Sequence, residues 1–515
     1  MISTSSTYSR LISTNSLLVS PLTSLLVVVS DYDADLELVD HGFAANGSDA
    51  AAKALWAGVD MSMQSGLYRQ HLPDLVRQGG VAESVLDEAV RRVLGAKARM
   101  GLLDDPYRSL DAATEAAEHW VPAHDALARD AGRRSVVMLK NDGFGGAAAA
   151  TASGVLPLRK KGQKVAVVGW WAQDRANAEG VGVIWGNESF AVTLAEGVAA
   201  ALEDPGADLK VVNGSGVETV VSGAGGVAEA VAAAQWADVV VLALGEPKNY
   251  TGEAQSRTDI TIPAAQMALA EAVAAAGKPV VVLLKNGRAL ELSGAVRDAS
   301  AILVTWFLGK STGTALADLL FGDFSPSGRL PVSFPVRSGQ QPYFYNHASS
   351  GRPCTGKQPR RFKNCWREIG NEALYSFGHG LTYTSFSYGA PTFSSAGVAE
   401  LPWDGSLTIT STVTNTGGER AGEEVVQLYI HDRVASRVRP VRELKGFSKI
   451  SLEAGASADV AFTLSRHDLA FAVASPHGAA VSGNTAVVEP GMFDVWITSS
   501  ATAGTASAFE LLGPP

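Results

Sequence analysis

The chain has 515 residues, 46% of them hydrophobic and 18% charged, with a formal net charge of -10. That is room for about three domains at roughly 100–200 residues each, and enough apolar material to exclude a globally disordered chain. The acidic balance disfavours nucleic acid and anionic membrane as partners and suits a neutral substrate.

The two cysteines, Cys354 and Cys365, exclude a disulfide scaffold; one bridge between them and two unrelated thiols both remain open. With the nine scattered histidines they make no metal cluster, so neither a metal nor a cofactor is expected. Residues 1–24 are rich in Ser, Thr and Leu, with Arg10 as the only charge. The apolar stretch from Leu17 to Val29 is broken by Ser20, Pro21, Thr23 and Ser24, too short and too polar to cross a bilayer. It has no basic leader and no clear cleavage site, so 1–24 reads as a non-native or disordered start rather than a signal peptide.

LLVVVS (25–30) reads as a buried parallel strand ending at Asp31. A capped helix over 48–58, a strand at VDMSM (59–63) and amphipathic helices over 66–80 and 83–101 follow. Strand and helix in alternation are the tail of a parallel α/β unit. From about 120 to 335 the alternation resumes. Strands are expected at 135–140, 164–169, 237–245, 278–287 and 300–307, and helices at 225–235 and 263–277. Continuous Val/Leu strands between Ala-rich helices predict a second sheet covered on both faces. Residues 336–390 carry Gly, Pro, Arg and aromatics with little periodicity and form a long connection. From 404 onward the pattern alternates with period two, at 406–417, 424–432, 457–465 and 491–499, which predicts a β-sandwich.

Two acidic positions stand out by context. Asp31 follows a buried strand, where a β/α fold gathers catalytic groups; taken alone it is as readily a loop or cap residue, and Asp33, Asp35, Glu37 and Asp40 are not ranked by spacing. Glu253 lies in GEPKNYTGEAQSRTDITIP (245–263), a loop leaving the carboxyl edge of a sheet, with Arg257 and Asp259 beside it. A solvated acidic loop is the plain alternative. Two carboxylates on separate elements are what glycoside hydrolysis needs, one at the sugar carbon and one holding a proton for the leaving oxygen. The pattern permits this pair and does not select it. Competing motifs are weak. The Gly-rich 213–226 lacks a P-loop lysine, KNGRAL (285–290) reads as a strand-to-helix turn, and neither GxSxG nor HExxH occurs.

At this point the segments resemble a known family. VVVSDYDADLELVDHG (27–42) is similar to the nucleophile segment of glycoside hydrolase family 3. AGVDMSM (57–63) is similar to its next barrel strand, and GEAQSRTDITIP (252–263) to its acid/base loop. WFLGKSTGTALADLLFGDFSPSGRLPVSFP (306–335), LYSFGHGLTYTSF (374–386) and RPVRELKGFSKISLEAG (439–455) are also family-like, and the resemblance runs from about 25 to 512, nearest to bacterial periplasmic β-glucosidases.

The resemblance implies a multidomain α/β plus all-β chain. Its parts would be a (β/α)8 barrel remnant over 25–120, an α/β sandwich over 121–338, a linker over 339–400 and a fibronectin type III-like sandwich over 401–512. It implies a retaining β-glucosidase with Asp31 as nucleophile and Glu253 as acid/base, their carboxyls about 5–5.5 Å apart. Tyr32 and Arg257 would bind substrate. Asp33 stands where many members carry Gly. The family's barrel supplies an Asp, an Arg and a Lys-His pair from strands before the nucleophile. No counterpart lies upstream of Leu25, so truncation and weak activity of the chain alone are expected. β-Xylosidase, arabinosidase or glucosaminidase activity, or a non-catalytic carbohydrate-binding remnant, are the alternatives. The implied partner is a β-glucoside or oligosaccharide in the periplasm or outside the cell, with a homodimer left open.

Overall fold

The computed structural model describes residues 26–118, 121–143, 154–184, 186–354, 362–394, 399–473 and 485–514. The expected non-native start at 1–24 lies outside them. Two compact units are present, one reaching Val121 and the other spanning Pro122–Val473 and the chain from Ala486.

In the first unit, β1 (Val29–Tyr32) and β2 (Met61–Met63) pair in parallel, Val29 against Met61 and Tyr32 against Met63 with an irregularity between. Helices Gly47–Trp56, Leu67–Arg77 and Glu83–Arg99 accompany them in the order read from the sequence. The first starts where the side chain of Asn46 accepts the N–H of Asp49, filling one of the orphan donors of a helix N-terminus. Its apolar face, Ala50, Ala51 and Leu55, packs with Leu67, Leu72, Val81 and Ala89. Asp60 ties strand to helix. Its buried carboxylate accepts the N–H of Val28 at 2.9 Å and pairs with Arg92 of the last helix at 2.8 Å.

The second unit holds a six-stranded sheet of β3 (Val137–Asn141), β4 (Val165–Val168), β5 (Leu209–Val212), β6 (Val239–Gly245), β7 (Val280–Lys285) and β8 (Ala301–Val304). The spatial order is β3-β8-β7-β6-β4-β5. Every neighbouring pair is parallel except β3–β8. All seven residues of β6 are buried. Val240, Leu242 and Leu244 enter one apolar cluster with the helices Val227–Trp236 and Ala264–Ala274. Val239, Val241 and Ala243 enter the other, with Leu194–Ala201 and Thr312–Leu320. Helices therefore cover both faces, as unbroken Val/Leu strands require. Each fully buried Val or Leu contributes about 1.5–3 kcal/mol. Strand β5 was not anticipated; four residues at a sheet edge carry too little period to stand out.

The strand order fixes where a ligand can enter. From β4 the chain moves outward to β5, then returns to the other side of β4 for β6 and continues through β7 to β8. The direction reverses between β4 and β6. Open α/β sheets bind ligands in the crevice at the carboxyl ends of the two strands flanking such a reversal.

The sandwich in the same unit has a sheet containing Ser406–Asn415 and Ser457–Ser465, and a five-stranded sheet containing Gly422–Asp432, Glu443–Leu452 and Gly491–Thr498. Leu407, Ile409 and Val413 pack with Val426, Leu428, Phe493 and Val495. Glu443–Leu452 lies in the family-like segment 439–455 and is not among the strands expected from alternation. It is an edge strand whose Phe447 is 69% exposed, so its inward and outward residues differ little. One buried and one half-buried ion pair join sandwich to α/β layer. Arg329 meets Glu424 at 2.5 Å, Tyr388 donates to the same carboxylate at 2.6 Å, and Arg134 meets Glu423. Cys354 and Cys365 form a disulfide, which decides the alternative the spacing left open. No helix among the described residues is long and apolar enough to cross a membrane.

Candidate active site

Asp31 sits near the carboxyl end of β1, exposed. Its place is set by Ser30, whose buried hydroxyl accepts the N–H of Met63 at 2.7 Å and donates to the Asp31 carbonyl at 2.8 Å. One carboxylate oxygen of Asp31 accepts the N–H of Tyr32 at 2.7 Å. Tyr32 itself is 60% exposed beside it. Asp33 has φ 56°, a left-handed conformation that glycine adopts without cost and that Asp tolerates better than most residues. The acids that spacing left unranked separate here. Asp35 is buried and takes the hydroxyl of Ser65 at 3.0 Å, while Glu37 and Asp40 lie in a short exposed helix. Asp31 is the one held on the strand end by its own framework.

In the second unit, Glu253 lies on the loop after β6, at the reversal of strand order. Gly245 ends β6 with φ 129°, and a Cβ there would stand 2.0 Å from the Lys285 carbonyl; only glycine lets the chain leave here. Gln266, wholly buried, clamps that exit, its amide accepting the Gly245 N–H at 2.8 Å and donating to the Gly245 carbonyl at 2.9 Å. Lys248 N–H bonds the side chain of Asn177, from the loop after β4, at 2.9 Å. Glu253 is exposed in a tight turn closed by Gln255 N–H to Gly252 carbonyl at 3.3 Å, with Ala254 at φ 57°.

Arg257, on the same loop, lies over the Tyr250 ring at 4.2 Å and faces the Glu246 carboxylate at 3.9 Å. The Tyr250 hydroxyl donates to Glu218 at 2.6 Å, and that bond holds its proton above the usual tyrosine range. Asp259 takes the N–H and hydroxyl of Thr261, which keeps its carboxyl below the usual range.

Three charged residues escaped the sequence reading. Glu246, at the first position past β6, is 1% exposed; burial pushes its carboxyl up, against the pull of Arg288 and Arg257. Arg288 belongs to the KNGRAL segment. That segment is not a turn into a helix: the next helix starts only at Gly294, and Arg288 points to Glu246 at 3.3 Å. Lys285 ends β7, buried beside Trp171 at 4.7 Å and paired with Asp174 at 3.5 Å. The signal available for Glu246 and Lys285 was a charge placed where an unbroken apolar strand stops; Arg288, three residues past β7, carried none. Next to them, Trp170, Asp174, Asn177, Ser215 and Glu229 line an open cavity of about 520 Å³ at the carboxyl ends of β4 and β5.

Burial pulls the Lys285 ammonium down to about 8, although Asp174 favours the charge. Between pH 8 and about 10 the folded lysine has released a proton that the unfolded one, near 10.4, keeps. Unfolding then takes up a proton, so stability rises with pH across this window, by at most about 3 kcal/mol. Lys285→Met is expected to flatten that rise in urea unfolding between pH 8 and 9.5. An unchanged slope in the variant would remove Lys285 as its cause.

Residues 136–383 match the Glycosyl hydrolase family 3 C-terminal domain, and residues 424–501 match the Fibronectin type III-like domain. The chain is 39% identical over 509 residues to a periplasmic β-glucosidase of Salmonella typhimurium, covering 94% of this chain and 63% of that protein. It is 33% identical over 478 residues to a β-xylosidase of Formosa agariphila, covering 90% and 61%. Among solved structures, a β-glucosidase from Listeria innocua in complex with glucose superposes with a TM-score of 0.82 at 35% identity, over 95% of this chain and 63% of that one. The chain thus spans less than two thirds of the length of these relatives. The match to the family 3 C-terminal domain, with likeness in sequence and in fold, leads to one assignment: the chain belongs to glycoside hydrolase family 3.

Proposed function

We propose that this chain takes part in hydrolysing terminal non-reducing β-D-glucosyl residues by a retaining double displacement. The Asp31 carboxylate attacks the anomeric carbon as the glycosidic bond breaks, and Glu253 gives its proton to the departing oxygen. The Glu253 carboxylate then takes a proton from water, whose oxygen displaces Asp31 and frees the sugar with its configuration kept. Tyr32 lines the sugar site beside the nucleophile, and Arg257 orders the loop and meets substrate from it. The first unit is read as part of a β/α barrel, in which Asp31 stands on the catalytic rim.

The observation that carries the reading is Glu253 on a loop leaving β6 at the reversal of strand order. Likeness to β-glucosidases from Salmonella typhimurium and Listeria innocua supports the substrate class. The name of the Salmonella protein supports a periplasmic site of action. A second reading draws on the Formosa agariphila β-xylosidase and on an exo-α-(1->6)-L-arabinopyranosidase of Bifidobacterium longum, 33% identical over 460 residues.

Proton NMR of aryl β-D-glucoside hydrolysis is the test. The β-anomer of glucose should appear first and then mutarotate. The α-anomer appearing first would exclude the mechanism. A kcat/KM higher on aryl β-D-xyloside or α-L-arabinopyranoside would favour the second reading.

A further inference from the structure

The loop that carries Glu253 has little backbone structure of its own. Between Pro247 and Asp259 its internal main-chain bonds are Tyr250 N–H to Pro247, Thr251 N–H to Lys248 and Gln255 N–H to Gly252. Its far end is joined at Ile260, whose carbonyl accepts the N–H of Glu291 at 3.0 Å, and by Arg257, whose Nε donates to the Asp259 carbonyl at 3.2 Å. An exposed turn held this way opens readily, whereas proton transfer needs the acid within hydrogen-bond reach of the leaving oxygen.

Arg288 adds a restraint from outside the loop. It projects from the turn after β7, and its Nη2 donates to two carbonyls of the loop, Tyr250 before Glu253 and Gln255 after it, the latter at 2.8 Å. Its Nε donates to the Glu246 carboxylate at 3.3 Å. Glu246 is anchored in turn, its N–H bonding the Lys285 carbonyl at 2.7 Å. The turn's approach is close: a Cβ on Gly287 would lie 2.3 Å from the Thr251 hydroxyl. A planar guanidinium with fixed donors can serve a carboxylate and two carbonyls together; a lysine ammonium cannot hold that geometry.

We propose that Arg288, oriented by Glu246, is a positioning residue that pins both sides of the Glu253 turn and so sets the aim of the acid/base. The proposal rests on the reading of Glu253 given above.

The test compares the purified chain with its Arg288→Lys variant. Hydrogen exchange of the amides over 249–256 should speed up by about tenfold or more, with β6 and β7 as protected as before. kcat/KM, which reports the first step alone, should fall by about tenfold or more on phenyl β-D-glucoside, whose leaving group needs the proton, and by less than about threefold on β-D-glucosyl fluoride. Unchanged loop exchange, loss of protection throughout β6 and β7, or equal losses on both substrates would each overturn the proposal. Should Arg288→Lys fail to fold, Glu246→Gln keeps a neutral acceptor for Nε and should show the same pattern at smaller size. If Glu253→Ala leaves turnover unchanged, the acid/base reading falls; Arg288→Lys would still loosen the loop, which tells the two failures apart.

Discussion

Glu253→Ala should lower kcat on phenyl β-D-glucoside by about 10²–10⁴-fold, the usual contribution of a positioned proton donor. The side chain is exposed at a turn tip, so its loss removes no core contact and the fold should stand. The effect should depend on the leaving group. A substrate with a good leaving group needs no proton in the first step, so its glycosyl-enzyme forms at near normal speed and waits for a base that is gone. Added azide attacks without base help and should restore turnover, yielding the β-glucosyl azide. Steady-state rates with and without azide check this. A variant as fast as the parent on both substrates would leave Glu253 a solvated loop acid.

Asp31→Asn should be more severe, on the order of 10⁴–10⁶-fold in kcat, the scale seen when a nucleophile group is removed. Asparagine keeps the oxygen that accepts the Tyr32 N–H, and Ser30 still joins β1 to Met63. Thermal unfolding should therefore be little changed while the covalent step is lost. Azide in this variant should enter from the face Asp31 occupied and give the α-glucosyl azide. Rescue that gives the β-azide, or a loss below about tenfold, would move the nucleophile elsewhere.

The fold was legible where a segment's own pattern settled its environment. VVVLALG could only be a strand buried on both faces, and the sheet places all seven residues inside. The sandwich strand 406–417 alternates because one face meets the core and the other water. What was hidden depends on partners far apart in sequence. Glu246 and Arg288 are 42 residues apart, and each reads alone as an ordinary loop charge. Lys285, in the expected strand 278–287, gives no sign from its neighbours that it is enclosed beside Trp171. The strained Asp33 was foreseen only as an unusual residue, since a φ of 56° is set by the turn closing on Met63 and not by Asp itself. For the site, Asp31 and Glu253 were marked by the strands they follow. Their ranking among neighbouring acids comes from family likeness, since Asp31, Glu37, Asp40, Glu253 and Asp259 are all exposed.

Covalent labelling tests the mechanism most directly. A fluorinated β-glucoside, with fluorine in place of the sugar's second hydroxyl and a good leaving group, slows release more than attack and traps the glycosyl-enzyme. Mass spectrometry of the digested chain should find one fluoroglucosyl group, esterified to Asp31. A label on any other side chain, or turnover of the parent substrate with no label formed, would contradict the account.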